Sequence, residues 1–218
     1  MPDGWPLPRG ATAATIQRIT ETDGAKDSFD NNTPTINYDG SVIAFVSTRR
    51  LFKARGVLRF SAENEDSNAQ LYVYDVNAAK YTQVTHKRVD EGILDFEAKG
   101  FISNPTLSGN GKVLAFLSGY NFGGTINNAD LNGEIFVYKI GDAINQITQI
   151  TNTTSQADVP EDGAVNVLSR FSKHLSDDGS LLVFESAGGV SPTKTGERIR
   201  DVFLYNLSTK TFTQVTAQ

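Results

Sequence analysis

The run Asn127-Asn128-Ala129-Asp130-Leu131-Asn132-Gly133-Glu134 sets oxygen-bearing side chains at close intervals around a glycine. Hard cations such as Ca²⁺ take about six to eight oxygen ligands, so Asp130, Asn132 and Glu134 are the candidate metal ligands of this chain. The run has no glutamate twelve residues after its first ligand and so is not an EF-hand loop. Its competing reading is a polar turn with no ion.

Positive charge gathers in another segment, as Arg49, Arg50, Lys53, Arg55 and Arg59. Such a cluster can dock an acidic partner or ligand. Glu63, Glu65 and Asp66 follow it and partly balance it, so a solvated loop is the alternative. The aromatic residues Phe52, Phe96, Phe101, Tyr120 and Phe122 form a third set, with Tyr120 and Phe122 as its candidate binding residues. They either contact a peptide or sugar, or seal loops onto the scaffold.

Catalysis finds little footing. The two histidines, His86 and His174, form no His-x-x-x-His pair, and a lone histidine is more often structural. There is no Gly-x-Ser-x-Gly elbow. Gly111-Lys112 runs into Val113, which rules out a Walker-type phosphate loop. No catalytic residue is assigned, and the chain reads as a non-enzyme. A net charge of -5 argues against nucleic-acid binding, which needs a positive field. The absence of cysteine excludes disulfides and thiolate metal sites. No apolar run reaches the roughly 18 residues of a membrane helix. The start of the sequence lacks the basic and apolar regions of a signal peptide.

Something must position these residues, and an internal repeat supplies it. Thr-Gln-(Val/Ile)-Thr occurs three times, ending at Thr85, Thr151 and Thr216, about 65 residues apart. A weaker copy, Ile16-Gln17-Arg18-Ile19-Thr20, precedes them. Each repeat carries four short segments. The first ends in a glycine turn, at Asp39-Gly40, Asn110-Gly111 and Asp178-Gly179; both residues of such a hairpin turn are expected at positive φ. The second is almost wholly apolar, as in Val42-Ile43-Ala44-Phe45-Val46 and Val113-Leu114-Ala115-Phe116-Leu117, which predicts a strand covered on both faces. The third mixes β-branched and aromatic residues, as in Leu71-Tyr72-Val73-Tyr74. The fourth is the Thr-Gln motif, polar at alternate positions like an outer strand. A helix around 90–98 is interrupted by Gly92. The fold class is therefore all-β, a β-propeller of four-stranded antiparallel blades.

The order Pro-Thr-x-x-x-Asp-Gly-x-x-(Ile/Leu)-Ala-Phe-x-Ser, then (Leu/Ile)-(Tyr/Phe)-Val-Tyr, then Gln-(Val/Ile)-Thr resembles the blade repeat of TolB-like β-propellers over residues 14–216. The third repeat departs, with Lys173 and His174 in place of the Pro-Thr pair. The resemblance implies a fold and a protein-recognition role, in a bacterial periplasm or outside the cell, and fold alone does not settle activity. The expected division is a flexible segment over 1–13, an extra outer strand over 14–20, and blades over 21–85, 86–151 and 152–216. Propellers close with about four to eight blades. Three blades fit a fragment of a longer propeller, a homodimer completing a six-bladed ring, or an open arc.

Strand parity puts the short turns on one face and the long loops, such as 48–70 and 152–172, on the other. Long loops on a rigid scaffold usually carry binding. The expectation is a non-enzymatic scaffold that binds a protein or peptide through its long-loop face, with no cofactor other than a candidate calcium ion. The alternatives are the propeller portion of a larger hydrolase or lyase, and a purely structural array.

Overall fold

The structure is a computed structural model that describes residues 17, 19–20, 31–48, 52–54, 57–59, 68–86, 101–122, 128–141, 147–154, 165–190 and 200–216. Among these residues every regular element is a strand. Strands β1 (Asn31–Ile36) and β2 (Val42–Ser47) are followed by a small hairpin of β3 (Phe52–Ala54) and β4 (Val57–Arg59), then by β5 (Gln70–Asp75) and β6 (Lys80–Gln83). The second repeat holds β7 (Ile102–Leu107), β8 (Val113–Ser118), β9 (Glu134–Lys139) and β10 (Ile147–Gln149). The third holds β11 (Asn166–Val167), β12 (Leu181–Ser186), β13 (Asp201–Asn206) and β14 (Thr211–Gln214). They form three four-stranded antiparallel sheets with their strands in chain order, and the β3–β4 hairpin is an addition to the first. The expected outer strand over 14–20 falls largely outside the described residues, as do the segment 1–13 and the interrupted helix at 90–98. Ile19 packs against the aromatic cluster of the first sheet.

Alternation along the strands gives each sheet one aromatic face and one aliphatic face. Phe116, Phe136 and Tyr138 of the second sheet pack onto Ala44, Val46, Leu71 and Val73 of the first. Phe184, Phe203 and Tyr205 of the third pack onto Val113, Ala115, Leu117 and Val137 of the second. The sheets thus stack as blades through two similar seams. Each fully buried ring contributes about 1.5–3 kcal/mol of transfer free energy. Strand β8, covered on both sides, is buried at all six positions, as its apolar run predicts. Strand β12 alternates instead, with Leu181 and Val183 half-buried and Glu185 exposed.

The Thr-Gln repeat is a staple. The hydroxyl of Thr85 accepts the Leu71 N–H at 2.9 Å and donates to Gln70 Oε1 at 2.7 Å. Thr151 accepts the Ile135 N–H at 2.8 Å, and Thr216 accepts the Val202 N–H at 2.9 Å and donates to Asp201 Oδ1 at 2.9 Å. The motif therefore ties the end of each outer strand to the start of the third strand beside it.

The glycine turns differ from the expected two-residue hairpin. Gly40, Gly111 and Gly179 have φ of 76°, 68° and 75°, but the residue before each is not at positive φ. That residue acts through its side chain instead: Asp39 Oδ1 accepts the Ser41 N–H at 2.9 Å, Asn110 Oδ1 the Lys112 N–H at 2.9 Å, and Asp178 Oδ1 the Ser180 N–H at 3.0 Å. These bonds favour the ionised carboxylates. Donation from the Ser41 hydroxyl leads in holding Asp39 below the usual range, and donation from the Ser176 hydroxyl leads in holding Asp178 at about 2. The turns also touch across blades. Tyr38 N donates to Gly109 O at 3.0 Å, and Asn110 N donates to Asp177 O at 2.7 Å.

Candidate functional site

The first strands of the blades lie side by side, and each of the first two carries a bulge. Pairing shifts between Asn32 and Thr35 in β1 and between Ser103 and Thr106 in β7, where Thr33 and Asn104 sit at φ of 46° and 50°. In the third repeat the same point is expanded. Val167 pairs with Glu185, pairing resumes only with the bridge of Leu175 to Leu182, and residues 168–173 loop out between them. The Val183 N–H still donates to His174 O at 2.9 Å, so His174 takes the place of Thr106 and Lys173 that of Pro105.

This insertion closes one side of a groove of about 570 Å³ whose other walls are the β1 and β7 bulges. Ile36 and Tyr38 line it from the first blade and Asn104 to Leu107 from the second; Arg170, Phe171 and Lys173 line it from the third. Three of its apolar side chains face solvent: Ile36 is 59% exposed, Tyr38 88% and Phe171 91%. No histidine, aspartate or glutamate is among the lining residues. The loop is braced rather than loose. Asn104 Nδ2 donates to Leu168 O at 2.8 Å, and His174 sets Nδ1 2.8 Å from Val183 O and Nε2 3.0 Å from Ser169 O. Both ring nitrogens of His174 are thereby engaged with backbone, which is the structural role expected of it. Lys173 pairs with Asp177 on the next turn.

The residues singled out in the sequence fare differently. Arg49, Arg50 and Arg55 lie outside the described residues, as does Phe96. Lys53 and Arg59 fall on the β3–β4 hairpin, where the backbone alone is described. Tyr120 is 8% exposed and packs its ring 6.1 Å from that of Phe122, which lies edge-on to Phe136 at 5.1 Å. Burial raises the Tyr120 hydroxyl pKa. Of the two roles weighed for this pair, packing is the one their surroundings support. Of the groove residues, Arg170 and Phe171 belong to the long loop 152–172, whereas Ile36 and Tyr38 belong to a first strand and its turn, which loop length does not mark. The signal of Arg170 and Phe171 was the extra length between Val167 and His174.

Asp130 and Asn132 belong to the loop that joins β8 to β9 within the second blade, and Glu134 is the first residue of β9. Asp130 is exposed at the loop's tip, Asn132 is half-buried and Glu134 is fully buried. Glu134 Oε1 accepts the Thr153 N–H at 2.6 Å and the Thr153 hydroxyl at 2.7 Å, while Oε2 accepts Asn166 Nδ2 at 3.1 Å. Burial nevertheless pushes its carboxyl pKa up, more than these bonds pull it down. Among the described residues no group of three His, Cys, Asp or Glu side chains converges as a metal site.

No protein-family model and no curated protein matches the sequence. Among solved structures, TolB from Acinetobacter baumannii superposes with a TM-score of 0.45 at 15% identity, over 87% of this chain and 33% of that one. A prolyl endopeptidase superposes at 0.49 and 17%, over 89% of this chain and 23% of that one. An oligogalacturonate lyase from Vibrio parahaemolyticus superposes at 0.33 and 12%, over 91% of this chain and 56% of that one. The chain thus spans about a third of that TolB and a quarter of the endopeptidase. By its own sheets, registers and turns, it is an all-β array of three four-stranded antiparallel propeller blades.

Proposed function

We propose that this blade array is a non-enzymatic scaffold that binds a peptide segment of a protein partner in the groove along its first strands. The observation that carries this reading is the groove's lining. Tyr38, Phe171 and Ile36 present apolar surface to solvent, Arg170 adds positive charge beside the Lys173–Asp177 pair, and no acid or histidine is among the described lining residues. Exposed aromatic and cationic groups on rigid walls are the usual anchors of protein recognition. Among the described lining residues the commonest general acids and bases, histidine and the carboxylates, do not occur, which supports the non-enzymatic reading. The long-loop face expected from the sequence would adjoin rather than replace this contact.

The test is a peptide selected from a random library on the wild-type chain. Its affinity should fall about tenfold or more when Phe171→Ser and Tyr38→Ser are combined, as loss of an anchor costs roughly 1–2 kcal/mol or more. Binding that survives both changes would refute the groove as the contact. Turnover of a prolyl peptide or of oligogalacturonate by the purified chain would refute the non-enzymatic reading.

A further inference from the structure

His174 braces the third wall of the groove from behind. Its residue is 8% exposed, with Nδ1 2.8 Å from Val183 O on β12 and Nε2 3.0 Å from Ser169 O in the inserted loop. Both partners are backbone carbonyls, which only accept. A neutral imidazole has one N–H and one lone pair, so it makes only one of these bonds. Its other nitrogen then turns a lone pair on an oxygen. Turning the ring over sets carbon against both carbonyls and gives up both bonds. The imidazolium alone donates to both.

The two bonds tie different parts of the blade. Val183 is held to His174 a second time, because its N–H donates to His174 O at 2.9 Å. The strand therefore keeps its place with either form of the ring. Ser169 belongs to the loop that carries Arg170 and Phe171 into the groove. The Ser169 hydroxyl accepts the Phe171 N–H at 3.2 Å and its carbonyl the Ser172 N–H at 3.5 Å, so the loop's corner is built on this residue. Asn104 anchors only Leu168, one residue earlier. A neutral ring that keeps its bond to the strand releases the corner.

Few charged groups surround the ring. Lys173 pairs with Asp177, Arg170 lies on the loop, and Asp178 closes its own turn with Ser176 and Ser180. Strand β7 carries no titratable residue and β12 only Glu185. Strand β13 carries Asp201, which accepts from Gln214 and Thr216, and the Tyr205 phenol, whose pKa burial raises. Among the described residues no carboxylate pairs with the ring, so the two carbonyls are its polar partners. We propose that protonation of His174 locks the 168–173 loop against the groove, so that peptide is captured more tightly at acidic than at alkaline pH. The inference rests on the groove as the binding contact. His174 does not line the groove and is a positioning residue for the loop. Thr35 and Thr106 fill the matching places of the other blades and cannot titrate there.

Hydrogen exchange of the free chain over about pH 5 to 8, where histidine ordinarily changes charge, reads the loop without any peptide. Corrected for the intrinsic pH dependence of exchange, protection at the Phe171 and Ser172 amides should fall about tenfold or more as pH rises, since a hydrogen bond to a charged group is lost. Nitrogen NMR should show both ring nitrogens of His174 protonated on the acid side. His174→Thr installs the residue of the other blades and should abolish the step. A selected peptide should bind the wild-type chain about tenfold tighter at the acid end than at the alkaline end, and the variant equally at both. Protection that does not change with pH overturns the proposal, as does a step that survives in His174→Thr. Peptide affinity indifferent to a loop that does respond overturns it too. A loop that steps with pH in a chain that captures no peptide upholds the lock while refuting the peptide contact.

Discussion

The second blade and the third are built from the same repeat, yet they differ on the face turned away from the preceding blade. In the second, Val113, Ala115 and Leu117 on β8 are buried under the aromatic face of the third. In the third, the matching residues Leu181, Val183 and Glu185 carry no such cover; the first two are half-buried and the last exposed. The backbone registers match strand for strand, as Ser118↔Glu134 and Ser186↔Asp201 show. The difference teaches that the neighbour, not the strand, makes a blade's core. The same residue type contributes fully only where an aromatic face closes over it.

The largest expected contrast lies in that core. Phe136→Ala removes a fully buried ring from the seam between the first two blades and should cost about 3–5 kcal/mol. Leu204→Ala, on the half-buried face of β13, should cost well under the roughly 2–5 kcal/mol of a buried leucine. Denaturant melts of the two variants measure the difference. Equal losses would mean that the third blade's outer face is covered.

A smaller contrast concerns the staple. Thr151 is 1% exposed, and Thr151→Val strands the Ile135 N–H and a hydrogen bond to Glu134, for about 1–3 kcal/mol. Thr216 is exposed, so in Thr216→Val water replaces the lost partner and about 0.5 kcal/mol or less should go.

The smallest contrast is in pH. Burial raises the Glu134 pKa above its unfolded value, so its linked stability is present below about 4.5 and is lost as pH rises through the higher folded value. Glu134→Gln should remove that loss, and Gln70 already fills the matching place in the first blade. Asp178 is lowered from 3.8 to about 2, so its contribution holds above 3.8 and is lost as pH falls toward 2. Asp178→Asn should flatten that acid limb. Melting temperatures over this range read both signs.

Much of the fold was legible because it rests on local period. The four segments per repeat, their order and the double burial of β8 follow from apolar runs and turn residues. The glycines were legible too, but the role of Asp39 and Asp178 was not. A carboxylate that closes its turn by accepting an N–H leaves the same Asp-Gly signature as one at positive φ. The groove was less legible still. It forms where three first strands from distant repeats meet, and the insertion at 168–173 has meaning only beside the bulges at Thr33 and Asn104. Likewise the acid of Glu134 was visible in its loop, but its hydrogen-bond partners Thr153 and Asn166 belong to the far side of a seam.

Hydrogen exchange of the chain with and without a selected peptide tests the proposed contact most directly. Slowed exchange at Thr33, Thr35 to Tyr38, Asn104, Thr106 to Gly109 and Ser169 to Lys173 is the result expected. Bound peptide that leaves these amides unchanged and protects only residues elsewhere in the chain would contradict it.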